Sequence, residues 1–327
     1  MASANQKRVP KQQRIDPKKV RQAARSSKVV PPKAKVRKAT AGDWIAGARI
    51  RTLPLGIAPV VLGTATAYFF EPGWHWVRAL LCLAVAVALQ VGVNFANDYS
   101  DGIRGTDAHR VGPSRLTGSG AAKPKTVLTV AIAFLAIGAL AGLALVVLSQ
   151  QWWLIAVGAA CIAAAWFYTG GKRPYGYFGL GELFVFVFFG LVTTAGTMYV
   201  QVGTVTLEAW LAGVISGLFA CAVLVSNNMR DIEQDRLSGK RTLSVLIGLG
   251  ASRILFTVLL LAPFAILYFF ALIFVLAPYV YFLLLLAIPT AIIALTGRTP
   301  GEFLLVLKLT SLTALLFALA LGAAIVL

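Results

Sequence analysis

Six of the twelve acidic residues in this 327-residue chain fall in two short stretches. The first reads Asn94-Phe-Ala-Asn97-Asp98-Tyr-Ser-Asp101, followed by Gly102, Gly105 and Asp107. The second reads Asn227-Asn228-Met-Arg230-Asp231-Ile-Glu233-Gln-Asp235. On a helix, residues three, four and seven apart share a face. Asn94, Asn97, Asp98 and Asp101 keep that spacing, and so do Asn228, Asp231 and Asp235. Carboxylates stacked on one face repel each other, and near hydrocarbon such a stripe is costly unless a cation lies between them. Oxygen-only ligands suit a hard ion such as magnesium, which keeps one or two carboxylates and completes its shell with water and substrate phosphate. Two facing stripes therefore suit magnesium ions around a diphosphate. Arg104, Arg115, Arg230, Lys240 and Arg241 lie in the same stretches, and Tyr168-Thr-Gly-Gly-Lys172 places a further cation four residues after a tyrosine. Cations there would stabilise a diphosphate as it leaves.

Other chemistries are poorly served. His75 and His109 are the only histidines, and Cys82, Cys161 and Cys221 fall in apolar runs without a CxxC spacing, which argues against zinc sites and disulfide frameworks. Gly170-Gly171-Lys172-Arg173 lacks the leading glycine and the Ser/Thr of a phosphate loop. The pairs Gly138–Gly142 and Gly213–Gly217 have the spacing of close helix packing. Glu182 reads as an interfacial charge, and Pro54, Pro59, Pro263 and Pro289 as kinks.

The elements that must position these residues follow from composition. The chain is 58% hydrophobic and 13% charged, against about 25% charged in an ordinary soluble domain. That excludes a soluble enzyme, a disordered chain and a collagen-like fibre, and the continuous apolar runs exclude an alternating outer-membrane barrel. The expected fold is an all-α polytopic membrane protein with nine transmembrane helices, at about 53–70, 77–97, 126–148, 152–169, 182–201, 209–228, 252–272, 278–295 and 303–326. With a cytoplasmic N-terminus, outside segments carry only Arg78 among the basic residues of this region, which satisfies the positive-inside rule. Both acidic stretches then lie where an even-numbered span meets the cytoplasm, in the long connections 98–125 and 229–251. This places a multi-pass protein in the cell membrane with its site facing the cytoplasm. Residues 1–38 hold 13 of the 30 Lys/Arg and one acid, Asp16. They read as a disordered basic cytoplasmic tail, separate from a transmembrane domain over 39–327. Without an aromatic residue, the tail suits anionic membrane lipid and not nucleic acid.

A hydrophobic substrate with a diphosphate head fits these features. The head sits at the carboxylate rim, the tail runs among the helices, and loss of diphosphate leaves an allylic cation for an electron-rich acceptor. The sequence resembles the UbiA-type intramembrane aromatic prenyltransferases. Asn97-Asp98-Tyr-Ser-Asp101 with Asp107 matches that family's first motif, Asp231-Ile-Glu-Gln-Asp235 its second, and Tyr168-x-x-x-Lys172 its loop motif, over about residues 43–326. Asn94 to Asp107, Gly112-Pro113-Ser-Arg115 and Arg49-Ile-Arg51-Thr-Leu-Pro54 resemble the menaquinone branch. Its members join a polyprenyl diphosphate to 1,4-dihydroxy-2-naphthoate, releasing diphosphate and carbon dioxide to give demethylmenaquinone.

The resemblance implies a UbiA-like nine-helix bundle and Mg2+ held by Asp98, Asp101, Asp231 and Asp235, with Asp107 as a further ligand. Asp107 departs from the commoner spacing, lying six residues after Asp101 where four is usual. Asn94, Asn97 and Asn228 would orient ligands or phosphate; Lys172, Arg115 and Arg230 would contact diphosphate, with Tyr168 steadying it. Alternative acceptors within the family are of 4-hydroxybenzoate, haem or phosphoribosyl type. A transporter would place ionisable groups near mid-membrane, where this chain has almost none. A CDP-alcohol phosphotransferase would carry Ala-Arg after Asp101-Gly102, where this chain has Ile-Arg. Deleting residues 1–38 is expected to leave prenyl transfer intact, which turnover of the full and shortened chains compares directly.

Overall fold

The computed structural model describes residues 37–73, 75–106 and 115–327. The expected basic tail lies, up to residue 36, outside the described residues. A short helix α1 (Ala41–Ala48) precedes α2 (Pro54–Phe70), α3 (Trp76–Arg104), α4 (Pro124–Ser149), α5 (Leu154–Phe167), α6 (Gly181–Val202), α7 (Leu207–Leu237), α8 (Leu243–Ile273), α9 (Ala277–Thr296) and α10 (Pro300–Val326). No strand occurs among the described residues.

Helices α2 to α10 fall on the nine expected positions, but they do not meet the spanning criterion equally. Seven are long and apolar enough to cross a membrane. Helix α2 reaches that length only with α1, from which it is bent by 45°. Helix α5 has 14 residues, about 21 Å at the usual rise and short of the ~30 Å hydrocarbon core.

Local sequence explains the breaks. Thr40 and Asp43 form a capping box at the start of α1, which ends at Arg49 in the left-handed region (φ 55°). A single 3-10 turn, Ile50–Thr52, leads to Pro54 at the first position of α2. Thr299 and Glu302 form a second capping box at α10.

Both motif helices run further than expected: α3 ends at Arg104 and not near 97, and α7 at Leu237 and not near 228. At 29 and 31 residues they are about 43 and 46 Å long, so their last turns project beyond hydrocarbon. The carboxylates thus lie on rigid helix ends, as the shared-face spacing of the two acidic stripes predicts. Helix α8 begins at Leu243, ahead of the expected 252, with a break at Gly248 (φ 80°, ψ 167°). Helix α9 opens with a 3-10 segment, Ala277–Leu283.

Helices α3 and α4 pack together, as do α7 and α8, while α2 contacts both α6 and α10. Phe219, Phe256, Phe270 and Phe317 are fully buried in the core. The Phe317 ring meets Phe219 and Phe264 edge-on, each at 5.3 Å between centroids. Leu140, Val275 and Leu285 lie on the exposed outer surface, as a lipid-facing shell requires. Hydroxyls within the helices donate back to their own backbone, as Thr66 does to Leu62 and Thr310 to Val306.

A close crossing joins α6 to α7. Helix α6 carries a π-helical stretch, Phe186–Val192, and Gly190 within it faces Gly213 and Gly217. A Cβ on Gly190 would stand 2.6 Å from both the Gly213 carbonyl oxygen and the Gly217 Cα. The Gly213–Gly217 spacing therefore serves close helix packing. Gly190→Ala is expected to cost about 1–3 kcal/mol of stability through overpacking. Thermal unfolding in detergent should fall relative to Gly142→Ala, where the nearest atom lies 4.0 Å from the new Cβ.

Candidate active site

The polar stripe of α3 is spent on holding connections. Gln90 Nε2 donates to the Thr52 carbonyl (3.0 Å) and Asn94 Nδ2 to the Ala48 carbonyl (3.0 Å), which fixes the α1–α2 junction. The Thr169 hydroxyl donates to Asn97 Oδ1 (2.7 Å), fixing the connection after α5. Asp98 accepts the backbone N–H groups of Leu116 (2.9 Å) and Thr117 (2.8 Å). Gly102, one turn on, packs so closely on Thr117 that a Cβ would stand 2.4 Å from it.

Asp101 is the meeting point of three connections. Its Oδ2 accepts from Arg115 Nη1 (2.8 Å) and Lys240 Nζ (3.0 Å), and its Oδ1 from the Tyr177 hydroxyl (2.7 Å). The carboxylate is buried, with 1% of the residue exposed. Lys240 Nζ lies 4.7 Å and Arg104 Cζ 5.5 Å from the Tyr177 ring centre. Burial, and then the Asp101 charge, push the Tyr177 hydroxyl above its ordinary range, so it stays a proton donor at neutral pH. Arg104 donates to the carbonyls of Thr169 and Gly171. Tyr168 packs edge-on against Tyr175 at 5.5 Å, whereas Lys172 in the same loop is exposed.

On α7, Arg230 forms a bidentate pair with Asp231, both contacts at 2.7 Å. Asp235 Oδ2 lies 3.5 Å from the Thr242 hydroxyl. Asn228 turns towards α6 and donates to Glu182 Oε1 (2.9 Å). Glu182, in the first turn of α6, is buried and accepts this bond.

The two helix ends meet across a cleft with about 500 Å³ of atom-free space, counted out to its mouth. Arg49, Arg51, Arg115 and Arg230 line it together with Asp98 and Asn227. Four guanidinium groups around one opening form a site for an anion with several oxygens. Thr52 at the head of α2, Arg230 on α7 and Leu307 on α10 border the cleft. Further along the same three helices lies a small apolar cavity lined by Leu55, Leu62, Phe219 and Phe317. A polar head site and an apolar space thus follow one another along one seam.

The structure brings Asp98, Arg115 and Arg230 to this cleft, with Asp101 and Asp231 one ion pair behind. Asn94, Asn97, Tyr168 and Asn228 hold surrounding elements, and Asp107 lies outside the described residues. Arg49, Arg51, Asn227 and Tyr177 join the site without having been among its expected members, and Lys240, expected only as a cation near the diphosphate, proves to bind Asp101 directly. Arg49-Ile-Arg51 ahead of Thr-Leu-Pro54 was a visible signal; Tyr177 carried none.

The donor set fits magnesium, being carboxylate and amide oxygen without His or Cys. No three Asp, Glu, His or Cys residues form a ready cage among the described residues. Arg115, Lys240 and Arg230 occupy places beside the carboxylates.

A model of the UbiA prenyltransferase family matches residues 57–302. The chain belongs to the UbiA prenyltransferase family. It is 50% identical over 301 residues to 1,4-dihydroxy-2-naphthoate octaprenyltransferase of Mycobacterium tuberculosis, covering 88% of this chain and 98% of that protein. The protein of the same name from Escherichia coli is 40% identical over 214 residues, covering 63% and 68%. Among solved structures, an apo UbiA homologue from Aeropyrum pernix K1 aligns with a TM-score of 0.63 at 18% identity, covering 85% of this chain and 98% of that one. A UbiA homologue from Archaeoglobus fulgidus bound to GPP and Mg2+ aligns with a TM-score of 0.54 at 16% identity, covering 85% and 99%. These likenesses show the UbiA fold, and the protein is a multi-pass membrane enzyme of the prenyltransferase class.

Tyr177→Phe removes one hydrogen bond from the buried Asp101 and leaves both cations in place. The expected loss is about 1–2 kcal/mol, read as a roughly tenfold fall in kcat/KM. Unchanged kinetics would show that the Tyr177 contact is not needed.

Proposed function

We propose that this protein transfers a polyprenyl chain from polyprenyl diphosphate to 1,4-dihydroxy-2-naphthoate in menaquinone biosynthesis, giving the quinol form of demethylmenaquinone, diphosphate and carbon dioxide; oxidation to the quinone is a separate two-electron step. The observation that carries this reading is the guanidinium-lined cleft beside Asp98, continued by an apolar cavity along the same three helices. The identity of half the residues with the naphthoate enzyme of M. tuberculosis supports the acceptor.

Arg115 and Arg230, which line the cleft, bind the diphosphate, and Lys172, exposed in the loop after α5, is a further diphosphate contact of this reading. Arg49 and Arg51 add charge from the α1–α2 junction, which suits the second anion in the reaction, the acceptor's carboxylate. Asp98, Asp101, Asp231 and Asp235 would hold magnesium, with Asp107 completing the first motif. Magnesium, when bound, neutralises charge developing on the leaving diphosphate. Asn94 and Asn97 keep the connections in register around the cleft, Asn228 does so from α7, and Tyr168 packs the wall. The allylic C–O bond breaks and a C–C bond forms at the ring carbon bearing the carboxylate. The carboxylate's C–C electron pair then returns to the ring as carbon dioxide departs. Apolar walls around the reacting carbon would keep water from capturing the allylic cation. The site faces the cytoplasm, as the distribution of basic residues requires. The basic composition of segment 1–38 suits contact with anionic membrane lipid, and the reaction calls for no nucleic acid.

Purified protein offered 1,4-dihydroxy-2-naphthoate and 4-hydroxybenzoate side by side, with magnesium or EDTA, is expected to prenylate the naphthoate alone and only with magnesium. Prenylated benzoate as the sole product would move the protein to another branch of the family. Asp98→Ala and Asp231→Ala are expected to abolish turnover with little change in thermal unfolding. Near-normal activity in either would sink the carboxylate clamp.

A further inference from the structure

The residues that the proposed reaction needs apart are bound to each other in this structure. Asp101, whose side chain is 2% exposed, pairs with Arg115 (10%) and Lys240 (12%). Arg230 (5%) pairs with Asp231 (10%) on the other helix. In each case a carboxylate suited to a cation holds a side chain suited to phosphate. A Lys240 N–H donated to Asp101 is not available to phosphate. Its ammonium also occupies space beside the oxygen that a metal ion would take.

Lys240 is well placed to change partners. It shares Asp101 Oδ2 with Arg115, and Arg115 lines the cleft. Its backbone N–H is anchored to the Asp235 carbonyl (2.8 Å), directly after Gly239 in the left-handed region (φ 76°). The Tyr177 ring, 4.7 Å from Nζ, offers the ammonium a second contact that does not depend on Asp101.

We infer that Lys240 is a diphosphate-binding residue whose resting ion pair with Asp101 is exchanged on loading. The metal ion takes the carboxylate, and the diphosphate takes Lys240 and Arg115; Arg230–Asp231 exchanges in the same way. The inference rests on the proposed reaction and adds a residue and an order of events to it. Parting a buried pair leaves two charges to be compensated. Either ligand alone compensates one and strands the other. Both together compensate both, so each ligand raises the affinity for its companion by the same factor.

The test is calorimetric and needs no turnover. The full chain in detergent, as wild type, Lys240→Gln and Asp101→Asn, is titrated with Mg2+ alone, with inorganic pyrophosphate in EDTA, and with pyrophosphate at saturating Mg2+. Because wild type and variants share the same chelation in solution, only their differences are read. Lys240→Gln is expected to bind Mg2+ alone roughly tenfold tighter and pyrophosphate with Mg2+ roughly tenfold weaker, within the usual range of coupling between sites. Asp101→Asn is expected to show the reverse signs, with tighter metal-free pyrophosphate and weaker Mg2+. Thermal unfolding of each variant identifies misfolding, and either variant's pair of opposite signs is sufficient by itself. If the wild type binds both ligands and Lys240→Gln weakens both, Lys240 is a strut; the exchange is then overturned and the reaction reading stands. If the wild type fails to bind pyrophosphate even at saturating Mg2+, the reaction reading itself fails.

Discussion

A single buried carboxylate organises the cytoplasmic end of this bundle. Asp101 draws Arg115 from the connection after α3, Tyr177 from the connection after α5 and Lys240 from the connection after α7. A carboxylate removed from water is tolerated only when charge and hydrogen bonds surround it. The three connections must therefore close on one point, and closing them forms one side of the cleft. Asp98, one turn earlier, repeats the device with two backbone N–H groups.

The membrane sets the second constraint. Irregular backbone is costly in hydrocarbon, so chemistry that needs clustered charge belongs at the rim. The lengths of α3 and α7 meet this requirement by carrying both acidic stripes past the apolar thickness on continuous helices. Helix ends are firmer supports than free loops, and a clamp for an ion or a phosphate gains from that firmness. Beneath the rim, α2, α7 and α10 lead from the arginine cleft to an apolar cavity. A substrate with a charged head and a hydrocarbon tail meets matching surroundings along one seam. Membership of the UbiA prenyltransferase family agrees with this division of labour.

The pairing of acids with neighbouring cations gives the site a resting state of its own. Arg230 with Asp231, and Arg115 and Lys240 with Asp101, keep the buried charges balanced without any ligand. The protein thereby avoids isolated buried charge while keeping within one cleft the groups of both signs that a metal–diphosphate complex demands.

Much of this was legible in the residues alone. Unbroken apolar runs dictate membrane helices whatever surrounds them, because no other backbone arrangement satisfies its own hydrogen bonds in lipid. The spacing of Asn94, Asn97, Asp98 and Asp101 dictates a shared face, because helical periodicity is local. The Gly213–Gly217 pair marked a close crossing for the same reason, although its partner Gly190 was not apparent. Helix ends were misjudged where hydropathy falls before the helix stops, as at Asp98 and Met229, since polarity ends a span but not a helix. Which individual side chains pair across the bundle was not legible, although the two acidic stripes were expected to face each other. Tyr177 reaches Asp101 across 76 positions and Lys240 across 139. Asn228 turned to Glu182 while its neighbour Asn227 faced the cleft. Such choices depend on how helices rotate and cross. That is decided by the packing of whole faces and by the need to compensate each buried charge, and neither is a property of a short stretch of chain.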